Sequence, residues 1–268
     1  MHEETSLTTG RVSRVLTERV RPAIHSARIP LEIAAHALPG EPIPAAEGLA
    51  LEYSPFTAGQ QWGPAWGTTW FRLRGEVPAD WADKQVEALI DLGFDVNMTG
   101  FQCEALAYRA GADGAPVPVK SLNPRNQWLP VDVAAGGSVE FYLEGASNPV
   151  LLDYHPFLPT QEGDILTSSP DPLYRVRHMD LAVFEPEVYE LSLDLEVLLE
   201  LQAELPETSP RRMRILQALD DALDVLDLQR IVETASDARA QLVEVLAAPA
   251  DASAHRIAAV GHAHIDSA

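Results

Sequence analysis

Residues 66–78 read Trp66-Gly67-Thr68-Thr69-Trp70-Phe71-Arg72-Leu73-Arg74-Gly75-Glu76-Val77-Pro78, and this stretch decides the fold. Phe71, Leu73 and Val77 fall on one face of an extended chain, while Arg72, Arg74 and Glu76 fall on the other. Successive side chains of a strand point to opposite sides, so the pattern is that of a strand with one face in a core. The same period returns further along. Val86, Ala88, Ile90 and Leu92 alternate with Glu87, Leu89, Asp91 and Gly93, and Val139, Phe141 and Leu143 alternate with Glu140, Tyr142 and Glu144. Turn signals stand between them: Gly111-Ala112-Asp113-Gly114, Asn123-Pro124 and Gly136-Gly137. Short strands punctuated in this way predict an antiparallel, jelly-roll-like β-sandwich over residues 49–186.

Outside that span the period becomes helical. Val12, Val15, Leu16 and Val20 predict a helix over residues 8–28, with Arg11, Arg14, Arg19 and Arg21 at the other positions. Pro22 kinks or ends its first part. Pro30, Pro39, Pro42 and Pro44 then read as loop, so residues 1–48 are expected to be an N-terminal helical segment. Residues 187–250 read as a helical linker. Its apolar stripes are Leu191, Leu195, Leu198 and Leu199; Leu216, Leu219, Leu223 and Leu226; and Ile231, Ala235, Ala238, Leu242 and Val245. Ser209-Pro210 has the form of an N-cap followed by proline at the first helical position. Glu and Asp dominate the other positions, as on solvated helix faces. The fold class is therefore mostly β with α.

The chain has 268 residues, a net charge of -21, 46% hydrophobic and 22% charged residues, the balance of a globular protein. No basic face is present, which argues against a nucleic-acid partner. A single cysteine, Cys103, excludes a disulfide scaffold and points to a reducing compartment. The polar start, Met1-His2-Glu3-Glu4-Thr5, has no basic n-region or apolar h-region, and no apolar run approaches the ~20 residues of a membrane span. The expected location is the cytoplasm, without a membrane partner.

The last residues carry the chemistry. Ile257-Ala258-Ala259-Val260 reads as a buried strand, and Gly261-His262-Ala263-His264-Ile265-Asp266-Ser267-Ala268 follows it. In a strand His262, His264 and Asp266 share one face, with Cα atoms about 6–7 Å apart. Two imidazoles and a carboxylate suit zinc if the strand bends, and Gly261 permits a bend. The plainer alternative is ordinary polar residues at a chain end. Asp266 at the next position on the same face, after an apolar run, favours a metal site in a complete protein. Residues 1–268 alone offer two or three ligands, too few for tight binding. A lone strand after three helices has no sheet to join. Residues 251–268 are thus expected to be the first strand of a truncated α/β barrel, with its partners in sequence beyond Ala268.

The stretch Gly261-His262-Ala263-His264-Ile265-Asp266 resembles the opening of the catalytic domain of glycoside hydrolase family 38, the class II α-mannosidases. Trp66-Gly67-Thr68-Thr69-Trp70-Phe71-Arg72-Leu73 with Val77-Pro78, and Tyr154-His155-Pro156-Phe157 with the acidic linker, resemble the region ahead of that domain in the cytosolic and vacuolar branch. The resemblance covers essentially the whole chain. It implies that His264 and Asp266 are zinc ligands, that Asp266 also lies close to the bound sugar, and that His262 stands behind the ligands. The family completes its site with another Asp, a distant His and a general acid, none of which this chain supplies, so no catalytic residue is assigned here. Ser267 stands where the family commonly has Thr. The implied activity of the full enzyme is zinc-dependent, retaining hydrolysis of terminal α-mannosides. The family also implies a homo-oligomer, with the acidic helices or the N-terminal helix as the surfaces for it.

Other residues admit two readings. Trp62, Trp66 and Trp70 either stack on sugars or pack in a core, and packing is favoured because tryptophan usually buries its large area. His155 and His178 read as structural histidines, and Cys103 as a small buried hydrophobe. Tyr174-Arg175-Val176-Arg177 is a contact surface for an absent domain or an exposed strand. Two further functions compete with the mannosidase fragment. One is a free-standing carbohydrate-binding sandwich. The other is a fragment of a different metallohydrolase: the β-lactamase-like class needs His where Ser267 stands, and amidohydrolases seldom follow a sandwich and three helices.

Overall fold

The computed structural model describes residues 2–98, 100, 102–150, 161–250 and 254–261. Its contacts divide the chain into two compact units, one spanning Ile24–Glu185 and the other combining Met1–Ala23 with Pro186–Ala268.

Among the described residues the strands of the first unit form three antiparallel sheets. In chain order they are β1 (His25–Pro30), β2 (Glu32–Ala37), β3 (Ser54–Phe56), β4 (Gln61–Trp62), β5 (Gly67–Glu76) and β6 (Gln85–Asp91). Then follow β7 (Glu104–Ala110), β8 (Pro116–Leu122), β9 (Trp128–Pro130), β10 (Ser138–Ser147), β11 (Tyr174–Arg175) and β12 (His178–Phe184). The six-stranded sheet runs β3-β2-β5-β10-β7-β8, the four-stranded sheet β1-β12-β6-β9, and β11 pairs with β4. Leu73 of β5 lies opposite Ile33 of β2 and Phe141 of β10, and Phe71 opposite Ala35 and Leu143. Across the four-stranded sheet Leu181 faces Ala88, Met179 faces Ile90, and Ala88 faces Leu129. These two inward faces share one hydrophobic cluster, which makes the unit a β-sandwich.

The alternation over Phe71, Leu73 and Val77 thus positions the core, and all three are at most 1% exposed. Burying such a side chain stabilises by roughly 1.5–3 kcal/mol before entropy is subtracted. Phe71 meets Phe56 and Trp62 edge to face, with centroids 5.6 and 5.4 Å apart. The edge strands of the two larger sheets all carry proline: Pro55, Pro116 with Pro118, Pro30, and Pro130. A residue without an N–H is harmless at an edge and blocks pairing with another chain.

The structure departs from the sequence reading between residues 24 and 48. The helix expected to reach residue 28 ends at Ala23, and residues read as helix and loop form β1 and β2. Ladder bonds to β12 and β5 decide this, because a six-residue strand with partners outweighs local helical spacing. Pro30, taken as a loop signal, sits at the end of an edge strand. A short helix, Ala45–Leu49, lies against the six-stranded sheet there, next to β8 and β10. Gly48 lies so close to Trp70 that a Cβ would come within 2.3 Å of the indole, so glycine is required at that crossing.

In the second unit α1 (His2–Val15) runs through a π turn, Leu16–Val20, into α2 (Arg21–Ala23). With the Ala45–Leu49 helix as α3, the three long helices are α4 (Pro186–Glu204), α5 (Pro210–Val225) and α6 (Ile231–Ala247). Their apolar stripes are buried as the spacing predicts, except that Leu199 and Val245 are half-buried. Ser209 caps α5, its side chain accepting from the Arg212 N–H at 3.5 Å, with Pro210 at the first helical position. Arginines brace the helices. Arg11 of α1 pairs with Asp220 and Asp224 of α5, each at 2.8 Å. Arg239 of α6 reaches Glu187 at 2.9 Å, Glu190 at 3.6 Å and Asp194 at 2.9 Å, all on α4. No helix among the described residues is long and apolar enough to cross a membrane.

The strand expected at Ile257–Val260 is not formed. Residues 254–261 adopt neither helix nor strand, with Ile257 90% and Val260 81% exposed. A strand needs ladder partners, and no described strand pairs with this segment. The α/β-barrel expectation for residues 251–268 places those partners in sequence beyond Ala268, and most of that segment lies outside the described residues.

Candidate functional site

The residues singled out for metal chemistry, His262, His264 and Asp266, lie outside the described residues, as do His155 and the Tyr154-His155-Pro156-Phe157 stretch. Among the described residues no group of three His, Cys, Asp or Glu is placed to hold a metal ion. An imidazole nitrogen and a carboxylate oxygen, at His264 and Asp266, are donors that zinc accepts.

The three tryptophans separate. Trp62 is 3% exposed, and its indole N–H donates to the Leu92 carbonyl at 2.7 Å. Trp70 is fully buried and stacks on Tyr108 with centroids 5.7 Å apart. Both are core residues. Trp66 is 41% exposed.

Its position has a local cause. Gly63, Pro64, Ala65, Trp66 and Gly67 join β4 to β5, and the Gly67 N–H donates to the Pro64 carbonyl at 3.1 Å, closing a turn. Trp66 is the third residue of that turn, with φ at +66°. The left-handed region favours glycine, and a side chain there costs about 1–2 kcal/mol. The turn is pinned to the fully buried Ser147 at the end of β10. The Ser147 hydroxyl lies 2.6 Å from the Pro64 carbonyl and 2.9 Å from the Gly67 carbonyl, and the Ser147 carbonyl accepts from the Trp66 N–H at 3.1 Å. Gly63, with φ +59°, permits the approach, since a Cβ there would come within 2.4 Å of the Ser147 side chain. The strained turn is thus fixed, and it stands over a hollow of about 280 Å³ with Glu41, Pro42, Ser168, Ser169 and Pro170 in its walls.

A second hollow, about 540 Å³, opens beside the β1–β2 turn. Tyr53, Phe56, Arg72, Met179 and Asp180 line it. The Arg72 guanidinium lies 5.1 Å from the centre of the Tyr53 ring, and the Tyr53 hydroxyl donates to the Gly48 carbonyl at 2.7 Å. Burial raises the Asp180 carboxyl above its ordinary range, against the pull of His178 and Arg28. Burial likewise raises the Tyr53 hydroxyl. Sequence reasoning did not single out this group. Its members come from β3, β5, β12 and the loop before β3, and only sheet pairing brings them together.

The remaining candidates are structural. Cys103 is fully buried, and burial pushes its thiol up to about 12, so it is an inert hydrophobe rather than a nucleophile. The segment from Tyr174 to Arg177 alternates between core and surface, with Arg175 and Arg177 exposed. Tyr174 and Val176 are in the sandwich core, and Arg177 pairs with Asp91 at 3.0 Å.

Comparison with known proteins agrees with this architecture. Residues 29–182, more than half of the chain, match the Ams1-like family described as "Alpha-mannosidase, jelly roll domain". Alpha-mannosidase 2C1 of Mus musculus is 27% identical over 244 residues, covering 85% of this chain and 20% of that protein. Alpha-mannosidase 2C1 of Homo sapiens is 26% identical over 255 residues, covering 93% of this chain and 22% of that protein. Alpha-mannosidase G of Dictyostelium discoideum is 23% identical over 227 residues, covering 82% and 19%. The chain spans about a fifth of the length of these curated relatives. Among solved structures, a β-glucuronidase from Ruminococcus gnavus aligns with 59% of this chain and 29% of its own at TM-score 0.35 and 12% identity, a likeness too slight to bear on ligand or reaction. A jelly-roll sandwich that matches over residues 29–182, together with relatives that cover most of the chain, places it in the Ams1-like jelly-roll domain family of α-mannosidases.

Proposed function

We propose that this chain is the N-terminal part of a zinc-dependent, retaining α-mannosidase that acts on terminal α-mannosides in the cytoplasm. The observation that supports it most is the family match over residues 29–182, joined to relatives named as α-mannosidases that cover most of this chain. In this reading His264 and Asp266 hold the zinc, and Asp266 also faces the sugar. A zinc ion held there would supply a Lewis-acidic template for sugar hydroxyls. The Asp266 carboxylate accepts from a sugar hydroxyl and fixes the ring's position, and His262 orients the ligands from behind. A second carboxylate, from sequence beyond Ala268, attacks the anomeric carbon, and an acid protonates the leaving oxygen. Residues 1–268 by themselves carry neither group and are expected to be inactive.

The test is the reading frame that follows Ala268 and the enzyme made from it. The complete product should hydrolyse an aryl α-mannoside and hold about one zinc per chain by metal analysis. His264→Ala and Asp266→Ala should each lower kcat/KM by roughly 100-fold or more and release the metal. A complete product that cleaves the mannoside without these two residues, or that cleaves amides instead, overturns the reading.

A further inference from the structure

We infer that the outer seam between α4 and α6 is the docking surface for the domain that the α-mannosidase reading places beyond Ala268. This rests on that reading and uses neither His264 nor Asp266. α4 is apolar on both faces. Leu191, Leu195 and Leu198 are buried, while Leu193 and Val197 on the opposite side stay exposed, Val197 at 52%. A surface helix normally keeps its outer face polar, and an apolar patch rimmed by charge marks a contact with another body. α6 adds to the same strip. Ala240, Val243 and Ala247, at i, i+3 and i+7, are exposed, Val243 at 61%, and Leu246 stands beside them.

Ion pairs set the two helices in register. Arg239 of α6 meets Glu187, Glu190 and Asp194 of α4. Val243 lies one turn past Arg239, and Val197 one turn past Asp194. The connections 205–209 and 226–230 are short, and α5 packs against both neighbours, so the chain reverses twice and α4 and α6 run the same way. Val197 and Val243 therefore fall at one level of the seam, beyond the charged pairs. Three features name the occupant. This chain spans about a fifth of the length of its α-mannosidase relatives, so on that reading a much larger body follows it. The path from Ala247 to Ile257 spans at most about 35 Å, so a catalytic domain entered at Ile257–Val260 is tethered within reach of the strip. A second copy fits poorly: Glu200 and Glu204 continue the exposed face of α4, and each chain carries a net charge of -21, so like surfaces repel. The docked domain should meet the valines with apolar side chains and the glutamates with Lys or Arg.

The experiment uses the complete product of the reading frame, with Val197→Cys, Val243→Cys and, as an exposed control in the turn after β7, Ala112→Cys. Each native protein is treated with a maleimide, and labelling is followed by peptide mass spectrometry. Cys103 is buried and does not compete. Thiols at the two valine positions should react about tenfold or more slowly than the control, because they label only when the docked domain opens. Adding Val197→Glu to the Val243→Cys variant places a charge under that domain and should restore most of the control rate. Equal labelling of all three thiols overturns the proposal, and so does protection of Val243→Cys that ignores Val197→Glu. Protection that disappears on dilution to a monomer, checked by light scattering, assigns the strip to a second copy and also overturns it. Hydrolysis of an aryl α-mannoside by the parent reports separately on activity. An active enzyme with open thiols sinks this inference alone, and protected thiols on a product that cleaves no mannoside sink the activity alone.

Discussion

The sandwich and the helical unit keep charge and core apart by different means. In the sandwich, alternation sends Phe71, Leu73, Phe141 and Leu143 inward to one cluster, and stability rests on how those volumes fit. The helical unit also has apolar stripes, but its acidic faces are tied across helices by Arg11, Arg21 and Arg239. The sandwich has ion pairs too, Arg74–Glu140 and Arg177–Asp91, but it depends chiefly on packing, which screening by salt touches little. The helical unit depends in part on charge cancellation, which salt weakens. Stability in the two should therefore answer differently to substitution and to ionic strength.

Phe71→Ala makes the largest break. The ring is fully buried and touches aromatic neighbours from β3 and β4, so its loss leaves a cavity worth about 3–5 kcal/mol. Urea unfolding followed by circular dichroism measures it, and the loss should be the same in low and high salt. A cost below about 1 kcal/mol would mean that the two sheets close around the gap, contrary to a tightly fitted core.

Arg239→Ala sharpens the contrast. Its guanidinium is 28% exposed and serves three carboxylates of α4, of which Asp194 is 17% exposed. The neighbouring charges raise the guanidinium pKa, chiefly through its bond to Asp194. Removal leaves three acids facing each other, at a cost of roughly 1–2 kcal/mol after allowing for solvent screening. Repeating the measurement in molar salt should shrink the difference from the parent. A difference that ignores salt would show that the arginine acts through its aliphatic stem.

The same contrast explains what was legible in the sequence. Strands β5, β6 and β10 carry period-two alternation over most of their length, and the helices carry repeated Leu and Ala, so local spacing is enough to read them. The cap at Ser209 is equally local. β1 and β2 are not legible locally, because His25–Pro30 is mixed and ends in proline while Glu32–Ala37 is rich in alanine, and only pairing with β12 and β5 makes them strands. Of the candidate sites, the sequence offered three equivalent tryptophans. What separates Trp66 is a turn pinned by Ser147, eighty residues further on, a relation no local pattern carries. Ile257 and Val260 show the converse: the pattern is that of a buried strand, but among the described residues it finds no ladder partner and stays exposed, as expected of a strand whose partners lie elsewhere.

Asp180→Asn has the smallest expected effect and separates the two units by sign. The α4 carboxylates around Arg239 have an arginine partner, whereas among the described residues the Asp180 carboxylate has only the pull of His178 and Arg28 against its burial. Burial dominates and raises its pKa above the unfolded value of 3.8. Between that value and the raised one, the folded state binds more protons than the unfolded state. Stability therefore falls as pH rises through this window and stays lower above it. Replacing the acid by an amide of the same shape removes that loss. The variant should melt above the parent at pH 7, with the gap closing as pH falls below the ordinary carboxylate range. Melting curves of both proteins from acid to neutral pH decide it. A variant that melts below the parent at neutral pH would show that the ionised Asp180 is held by His178 and Arg28 more strongly than burial opposes it, and the sandwich would then share the helical unit's reliance on paired charge.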